Sequence, residues 1–224
     1  MLIKNGAGQV TEISFWQKNL TKFPTEVFGH PALEVLNLSE NGLAAIPDAI
    51  GQLTNLRSLD LGHNQLSSLP ESFGLLVNLS DYLYLQDNRL TWLSDSLFAG
   101  MRHLAYLNLS NNRLAELPNS IGRLDGLEEL CADNNPLGRL PETFAQLTGL
   151  RELHLRNTGL HEVPEQLRTL TRLNVLDLRG NRLETIPEWI GAMKELVKLD
   201  LRWNQIARFE SISAVKAYGC RILL

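Results

Sequence analysis

The sequence predicts an α/β solenoid: a right-handed coil of about nine repeats with a parallel β-sheet on its concave face. Three observations carry that prediction. The stretch LNVLDLRGNRLETIP (173–187) sets Leu173, Leu176, Leu178, Leu183 and Ile186 around Asn181. That spacing is neither the 3.6-residue period of a helix nor the plain alternation of a strand. The same text recurs along the chain, with Asn at 41, 64, 88, 112, 135, 181 and 204 and Thr158 in the same place between 135 and 181, at intervals of 23 or 24 residues. Each unit also carries one line of Leu that it cannot cover alone, so it must stack on a neighbour.

The elements follow in order. Residues 1–9 are expected to add a strand or turn over the first unit, as an N-terminal edge to a solenoid spanning 10–209. Unit one is degenerate, with Val10, Ile13, Phe15 and Leu20, and Lys18 where Asn belongs. Units two to five are centred on Asn41, Asn64, Asn88 and Asn112. Ser94 stands where unit four should have Pro. Unit six has Ala132 in place of a Leu, and unit seven has Thr158 in place of Asn. In each unit a short strand precedes a turn whose open backbone groups the Asn side chain satisfies. A hydroxyl at Thr158 does part of that task, and Lys18 does none. The Pro after each last Leu stops helix continuation and ladder pairing, so the return leg is irregular or made of short helical turns. Segments IPDAIGQL (46–53), LPNSIGRL (117–124) and IPEWIGAM (186–193) add a second apolar pair on the outer layer.

The interval is 24 rather than 23 from Asn64 to Asn88 and from Asn88 to Asn112. One extra residue falls within Ser80-Asp81-Tyr82, beside a strand, where it makes either a bulge or, more commonly in repeat arrays, harmless length drift. The other falls in SDSLFAGMRHL (94–104). Beyond Phe209 the repeat stops. Residues 211–219 read as a short helix and CRILL (220–224) as a strand, together a C-terminal cap over 210–224. Such an ending is expected of a complete chain without a second domain.

Bulk properties narrow the function. At 44% hydrophobic and 21% charged, the 224-residue chain is expected to fold rather than remain disordered. A net charge of -4 argues against nucleic acid as ligand. No run of 18 apolar residues is present, so no membrane partner is expected. MLIKNGAGQV lacks a secretory h-region, and the two cysteines, Cys131 and Cys220, suit no disulfide framework. A cytoplasmic monomer is expected, with signal-independent export as the other address.

The repeated text resembles the leucine-rich-repeat family, in its 23-residue class carrying LPxxIGxL. That class is typical of intracellular scaffolds of the Ras-group-related type and of many bacterial proteins. The resemblance spans residues 10 to 209. It implies the solenoid fold and a protein-recognition role, and it leaves the partner open.

In this geometry the residues between the strand leucines leave the sheet on the concave side. One column reads Ser14, Asn37, Asp60, Tyr84, Asn108, Cys131, His154, Asp177, Asp200. The next reads Trp16, Ser39, Gly62, Gln86, Ser110, Asp133, Arg156, Arg179, Arg202. The third ends at Trp203 after Gln17, Glu40, His63, Asp87, Asn111, Asn134, Asn157 and Gly180. Strands about 4.8 Å apart let column neighbours touch. Two groups are candidates for binding a protein partner. Arg156, Arg179 and Arg202 form a ladder beside Asp177 and Asp200, ending at Trp203, in residue types common at hot spots; the other reading of the ladder is an Arg–Asp lattice that neutralises itself in water. Tyr82, Tyr84 and Tyr106 form an aromatic group near the middle. Trp92 and Trp189 fall outside the strands and read as packing or scattered surface aromatics. Reversing Arg179 and Arg202 to Glu is expected to weaken binding without loss of thermal stability.

His154 completes that partner set, and it also belongs to a sharper constellation. Cys131, His154 and Asp177 occupy one column on three consecutive strands, as nucleophile, base and orienter would. An open face without an oxyanion hole counts against catalysis, and the same triplet is rejected as a metal site. The expectation is a non-catalytic recognition scaffold using no cofactor and no metal. A secreted bacterial effector engaging host proteins is the alternative address for the same chemistry. A cysteine-dependent enzyme is the remote one, and a purely structural scaffold without a ligand is disfavoured by the irregular units four and six.

Overall fold

A computed structural model describes residues 1–207, 216 and 218–224 of the chain. Eleven short strands form one sheet in sequence order. They are β1 (Leu2–Lys4), β2 (Val10–Ser14), β3 (Val35–Asn37), β4 (Ser58–Asp60), β5 (Tyr82–Tyr84), β6 (Tyr106–Asn108), β7 (Glu129–Cys131), β8 (Glu152–His154), β9 (Val175–Asp177), β10 (Lys198–Asp200) and β11 (Arg221–Leu223). From β2 to β11 every pairing is parallel, and nine strands, β2 to β10, carry the nine expected units. β1 pairs antiparallel with β2 at one end of the sheet. β11 extends the sheet beside β10, as read from CRILL. The repeat's expected end at Phe209 and the helix read over 211–219 fall largely on residues 208–215 and 217, outside the described residues.

The middle residue of each strand points inward: Ile13, Leu36, Leu59, Leu83, Leu107, Leu130, Leu153, Leu176 and Leu199 form one buried row. Successive leucines of the row are directly opposite in the ladder, so each covers its neighbour's exposed side. Behind the sheet, return legs close the core. After Pro24, Pro47, Pro70, Pro118, Pro141, Pro164 and Pro187 the chain makes five-residue 3₁₀ helices. Pro supplies the extended entry and lacks the N–H that this position would leave unpaired. The tight 3₁₀ pitch buries one large apolar residue per helix, such as Ile50, Phe73, Ile121, Phe144 and Ile190. The Gly of the Ile-Gly pairs permits the close stacking of these legs. A Cβ at Gly51 would sit 2.8 Å from the Ser72 carbonyl oxygen of the next unit.

Both irregular intervals are absorbed without a bulge. Ser58 pairs with Tyr82 and Asp60 with Tyr84 in unbroken register. The extra residue lodges just ahead of β5, where the Asp81 carboxylate takes Arg57 Nη2 at 3.1 Å, Ser80 Oγ at 2.9 Å and Ser58 Oγ at 3.3 Å. A bulge in β5 would interrupt ladders on both sides, whereas a polar clamp at the strand entry interrupts neither. In unit four the return leg is a string of turns that buries Leu97, Phe98 and Met101. Ser94 and Ser96 hold it by hydrogen bonds to the Glu71 carboxylate of the preceding unit.

The turns depend on asparagine. Asn112 Nδ2 donates to the carbonyls of Leu85 and Leu109 at 2.9 Å and of Ser110 at 3.4 Å. Its Oδ1 accepts the Leu90 amide at 3.0 Å. Asn64, Asn88, Asn135 and Asn181 make the same set. At Thr158 the hydroxyl donates to a single carbonyl of its own turn, that of Leu155, at 2.8 Å.

Replacing Asn112 by Ala orphans several buried backbone groups at once. Asn112→Ala is expected to lower unfolding free energy by about 2–3 kcal/mol, and Asn112→Thr by less, because a hydroxyl restores one bond. Urea unfolding midpoints of the two variants and the parent measure the order.

Candidate functional site

The concave wall is built from the predicted columns. The ladder aligns Ser14, Asn37, Asp60, Tyr84, Asn108, Cys131, His154, Asp177 and Asp200 in one row. The third column has a property that alternation alone does not reveal. Gln17, Glu40, His63, Asp87, Asn111, Asn134, Asn157, Gly180 and Trp203 all have positive φ, between 53° and 65°. Each is the left-handed residue that turns the chain out of its strand. Asn, Asp and Gly suit that conformation; a bulky aromatic such as Trp203 does not.

Tyr82, Tyr84 and Tyr106 come together as expected. Ring centroids lie 5.1 Å apart for Tyr82 and Tyr84 and 5.0 Å for Tyr84 and Tyr106, in tilted contact. All three are half-buried by one another. Burial raises the Tyr84 and Tyr106 hydroxyls above the ordinary tyrosine value, and the neighbouring acidic and thiol groups add to it. Both are neutral donors at physiological pH.

The arginine ladder differs from its expected form. Asp177 and Asp200, read as exposed partner contacts, are buried, at 1% and 0% side-chain exposure. Each lies beneath the guanidinium two residues on. Arg179 Nη2 reaches Asp177 Oδ2 at 2.5 Å and its Nε reaches Asp200 Oδ2 at 3.5 Å. Arg202 Nη2 reaches Asp200 Oδ2 at 2.7 Å. The physical reason is length: a four-atom stem folds back over a shorter column neighbour and covers it. Arg156 stands apart. It forms no ion pair among the described residues, and its buried Nε has no hydrogen-bond partner. The indole of Trp203 leans across the ladder, 5.9 Å from the Arg156 guanidinium carbon and 5.5 Å from that of Arg202. Trp203 itself is 66% exposed.

The cysteine constellation does not assemble as a triad. The Cys131 sulfur has Glu129 Oε1 at 3.5 Å and the Tyr106 hydroxyl at 3.8 Å as partners. The His154 Nε2 faces Glu152 Oε2 at 3.7 Å, and Asp177 is occupied by Arg179. Burial pushes the thiol up to about 12, and the Glu129 and Asp133 charges add to it. Such a thiol is not a nucleophile at neutral pH. The ligand atoms of Glu129, Cys131 and His154 do lie within 4.8 Å of one another. Glu129 is the residue that sequence reasoning passed over: it opens β7, one position before the strand Leu, in a column read only at its tyrosines. Of the other tryptophans, Trp189 packs on the core and donates to Glu165 Oε2 at 2.7 Å, and Trp92 is an exposed aromatic outside the wall.

The buried Asp200 carboxylate under its guanidinium partners sets a pH dependence. Burial opposes ionisation of Asp200, but the hydrogen bonds from Arg202 and the charges of Arg202 and Arg179 outweigh it and hold its carboxyl below the ordinary range. A lowered folded value means stability that is complete above the unfolded value, about 3.9, and lost as pH falls through the folded one. Asp60 and Asp133 act in the opposite sense, because burial dominates and raises them. Arg202→Leu is therefore expected to flatten the fall of the thermal midpoint between neutral pH and about pH 3. The double reversal Arg179→Glu with Arg202→Glu places like charge over two buried carboxylates. It is expected to lower the midpoint by roughly 5 °C or more at pH 7, contrary to the stability-neutral reading of exposed side chains. Calorimetric scans across pH measure both effects.

A family model described as leucine rich repeat matches residues 9–66, 31–88, 78–137 and 148–206. No curated protein sequence matches the chain. Solved structures do. A leucine-rich-repeat protein of Leptospira interrogans superposes with TM-score 0.81 at 27% identity, over 94% of this chain and 65% of that one. This chain thus spans less than two thirds of the Leptospira protein. The leucine-rich-repeat domain of the type III effector XopL is similar with TM-score 0.78 and 29% identity, over 96% of this chain and 76% of that one. Drosophila Toll, in its complex with Spätzle, gives TM-score 0.78 and 29% identity over 89% of this chain and 29% of that one. With matched segments that together cover most of its length and a repeating ladder of asparagine-closed turns, the chain belongs to the leucine-rich-repeat family.

Proposed function

We propose that the chain is a non-catalytic scaffold that recognises a protein partner through its concave sheet. One observation carries the reading: a single parallel ladder holds the tyrosine cluster and the Arg156–Trp203 pair on the same wall. Tyr84 and Arg156 are three strands apart, about 15 Å. Rigid strands hold these side chains before any partner arrives, so little ordering cost is added on binding. Tyr82, Tyr84 and Tyr106 supply area and neutral donors. Arg156 supplies a cation without an ion pair among the described residues, and Trp203 supplies an exposed aromatic face. His154, Arg179 and Arg202 frame the patch, while Asp177 and Asp200 set the guanidinium groups in place from below.

We assign the chain to the 23-residue class of the family on its LPxxIGxL-like segments. Residues 1–9 serve as an edge, 10–209 as the recognition solenoid and 210–224 as a cap. The pairing of Arg179 and Arg202 with buried aspartates and the charge of -4 favour protein over nucleic acid as partner. No helix among the described residues is long and apolar enough to cross a membrane. The free Cys131 and Cys220 suit a reducing compartment, and we assign the chain to the cytoplasm as a monomer. A second reading, an effector delivered to another cell, is favoured by the similarity to XopL and uses the same wall.

The test is affinity capture from lysate, followed by titration calorimetry on the captured protein. Tyr84→Ala and Trp203→Ala are each expected to weaken binding about 30-fold or more, and Trp92→Ala to leave it within about twofold. Binding that is lost with Trp92→Ala, or that survives both concave variants, moves the site off the wall.

A further inference from the structure

Between the tyrosine cluster and the arginine ladder lies a group of donors that partner recognition does not require. Glu129 and Cys131 flank the inward Leu130 of β7, so both leave the sheet on the concave face. His154 is directly opposite Cys131 in the ladder, and Glu152 is opposite Glu129. Carboxylate, thiol and imidazole ligand atoms all fall within 4.8 Å of one another, and the sulfur-to-carboxylate edge is 3.5 Å. Glu152 Oε2 stands 3.7 Å from His154 Nε2, and the Tyr106 hydroxyl 3.8 Å from the sulfur. We propose that Glu129, Cys131 and His154 bind a thiophilic divalent cation of the zinc(II) class, with Glu152 orienting the imidazole and Tyr106 hydrogen-bonding the sulfur.

The chemistry selects the ion. Oxygen-only cations such as magnesium and calcium have no use for a thiol or an imidazole, whereas zinc(II) binds all three donor types. Zinc bonds of about 2.0–2.3 Å put tetrahedral donors roughly 3.3–3.8 Å apart. The three side chains are only partly buried, so side-chain rotation closes the remaining gap without moving the strands. On binding, the thiol releases its proton to water and the thiolate forms the sulfur–metal bond. Glu129 and Glu152 stand opposite each other in the ladder, and a dication at this point of the wall offsets their negative charge. Three protein ligands leave a fourth position open toward the concave side, for water or for a donor from another molecule.

The test uses the full chain, stripped with chelator, kept reduced with a phosphine and titrated with cobalt(II) as a spectroscopic stand-in. The expected result is one equivalent bound, with a thiolate-to-cobalt charge-transfer band and the visible absorption of a tetrahedral site, both erased by zinc. Cys131→Ser is expected to abolish the charge-transfer band, His154→Ala to weaken binding at least about 100-fold, and Cys220→Ser to change neither. Zinc is expected to raise the melting midpoint of the parent chain but not of Cys131→Ser, with circular dichroism verifying that each variant is folded. Absence of the band at millimolar cobalt overturns the proposal. So does a band that survives Cys131→Ser or disappears with Cys220→Ser.

Discussion

A strand of three residues makes too few ladder bonds to satisfy the chain that enters and leaves it. In this protein the shortfall falls at the turn, where carbonyls of adjacent units converge in the interior without backbone donors. The side-chain amide of asparagine is the group that meets them. Its two N–H bonds and one acceptor reach the chain's own turn, the preceding unit and the preceding unit's next leg. Every coil is therefore tied to its predecessor through buried polar contacts as well as through leucine packing. Because those bonds link nearest neighbours only, stability accumulates unit by unit rather than from one central core.

The same tie governs what the inner wall can present. Each Asn requires a left-handed residue immediately before it, and that residue's side chain is carried outward at a constant pitch. Two further columns come from the strands themselves. The wall is consequently a grid whose spacing does not depend on what occupies it. Its contents vary along the coil: tyrosines at the middle, then carboxylates with a thiol and an imidazole, then arginines seated on buried aspartates. A scaffold of this kind separates the residues that build it from the residues that face the open wall, and the second set is free to change.

The repeat made most of this legible in advance. The unit count, the parallel sheet and the membership of each column all follow from a fixed Leu–Asn spacing. What escaped the pattern concerns how side chains lie once they leave the sheet. Alternation says that Asp177 and Arg179 both face the concave side; it does not say that the longer one folds over the shorter and removes it from water. The extra residue at 80–82 was visible as a count, but only its carboxylate contacts explain why β5 stays regular. Glu129 escaped because a glutamate at the head of a strand is ordinary until its neighbours in space are known. The 3₁₀ form of the return legs also lay beyond the pattern, since a Pro start and a five-residue length do not fix the helical pitch.

Trp203 shows where such a wall departs from economy. Every other member of its column is a residue of modest size, and most are types that tolerate left-handed backbone at little expense, whereas an indole there costs roughly 1–2 kcal/mol. Asparagine or glycine at 203 would relax the turn. A consensus-based or thermostability-guided redesign would consequently rewrite this position early, gain melting temperature, and discard the ring that lies between Arg156 and Arg202. Robustness to heat and retention of that ring are thus opposed at a single codon.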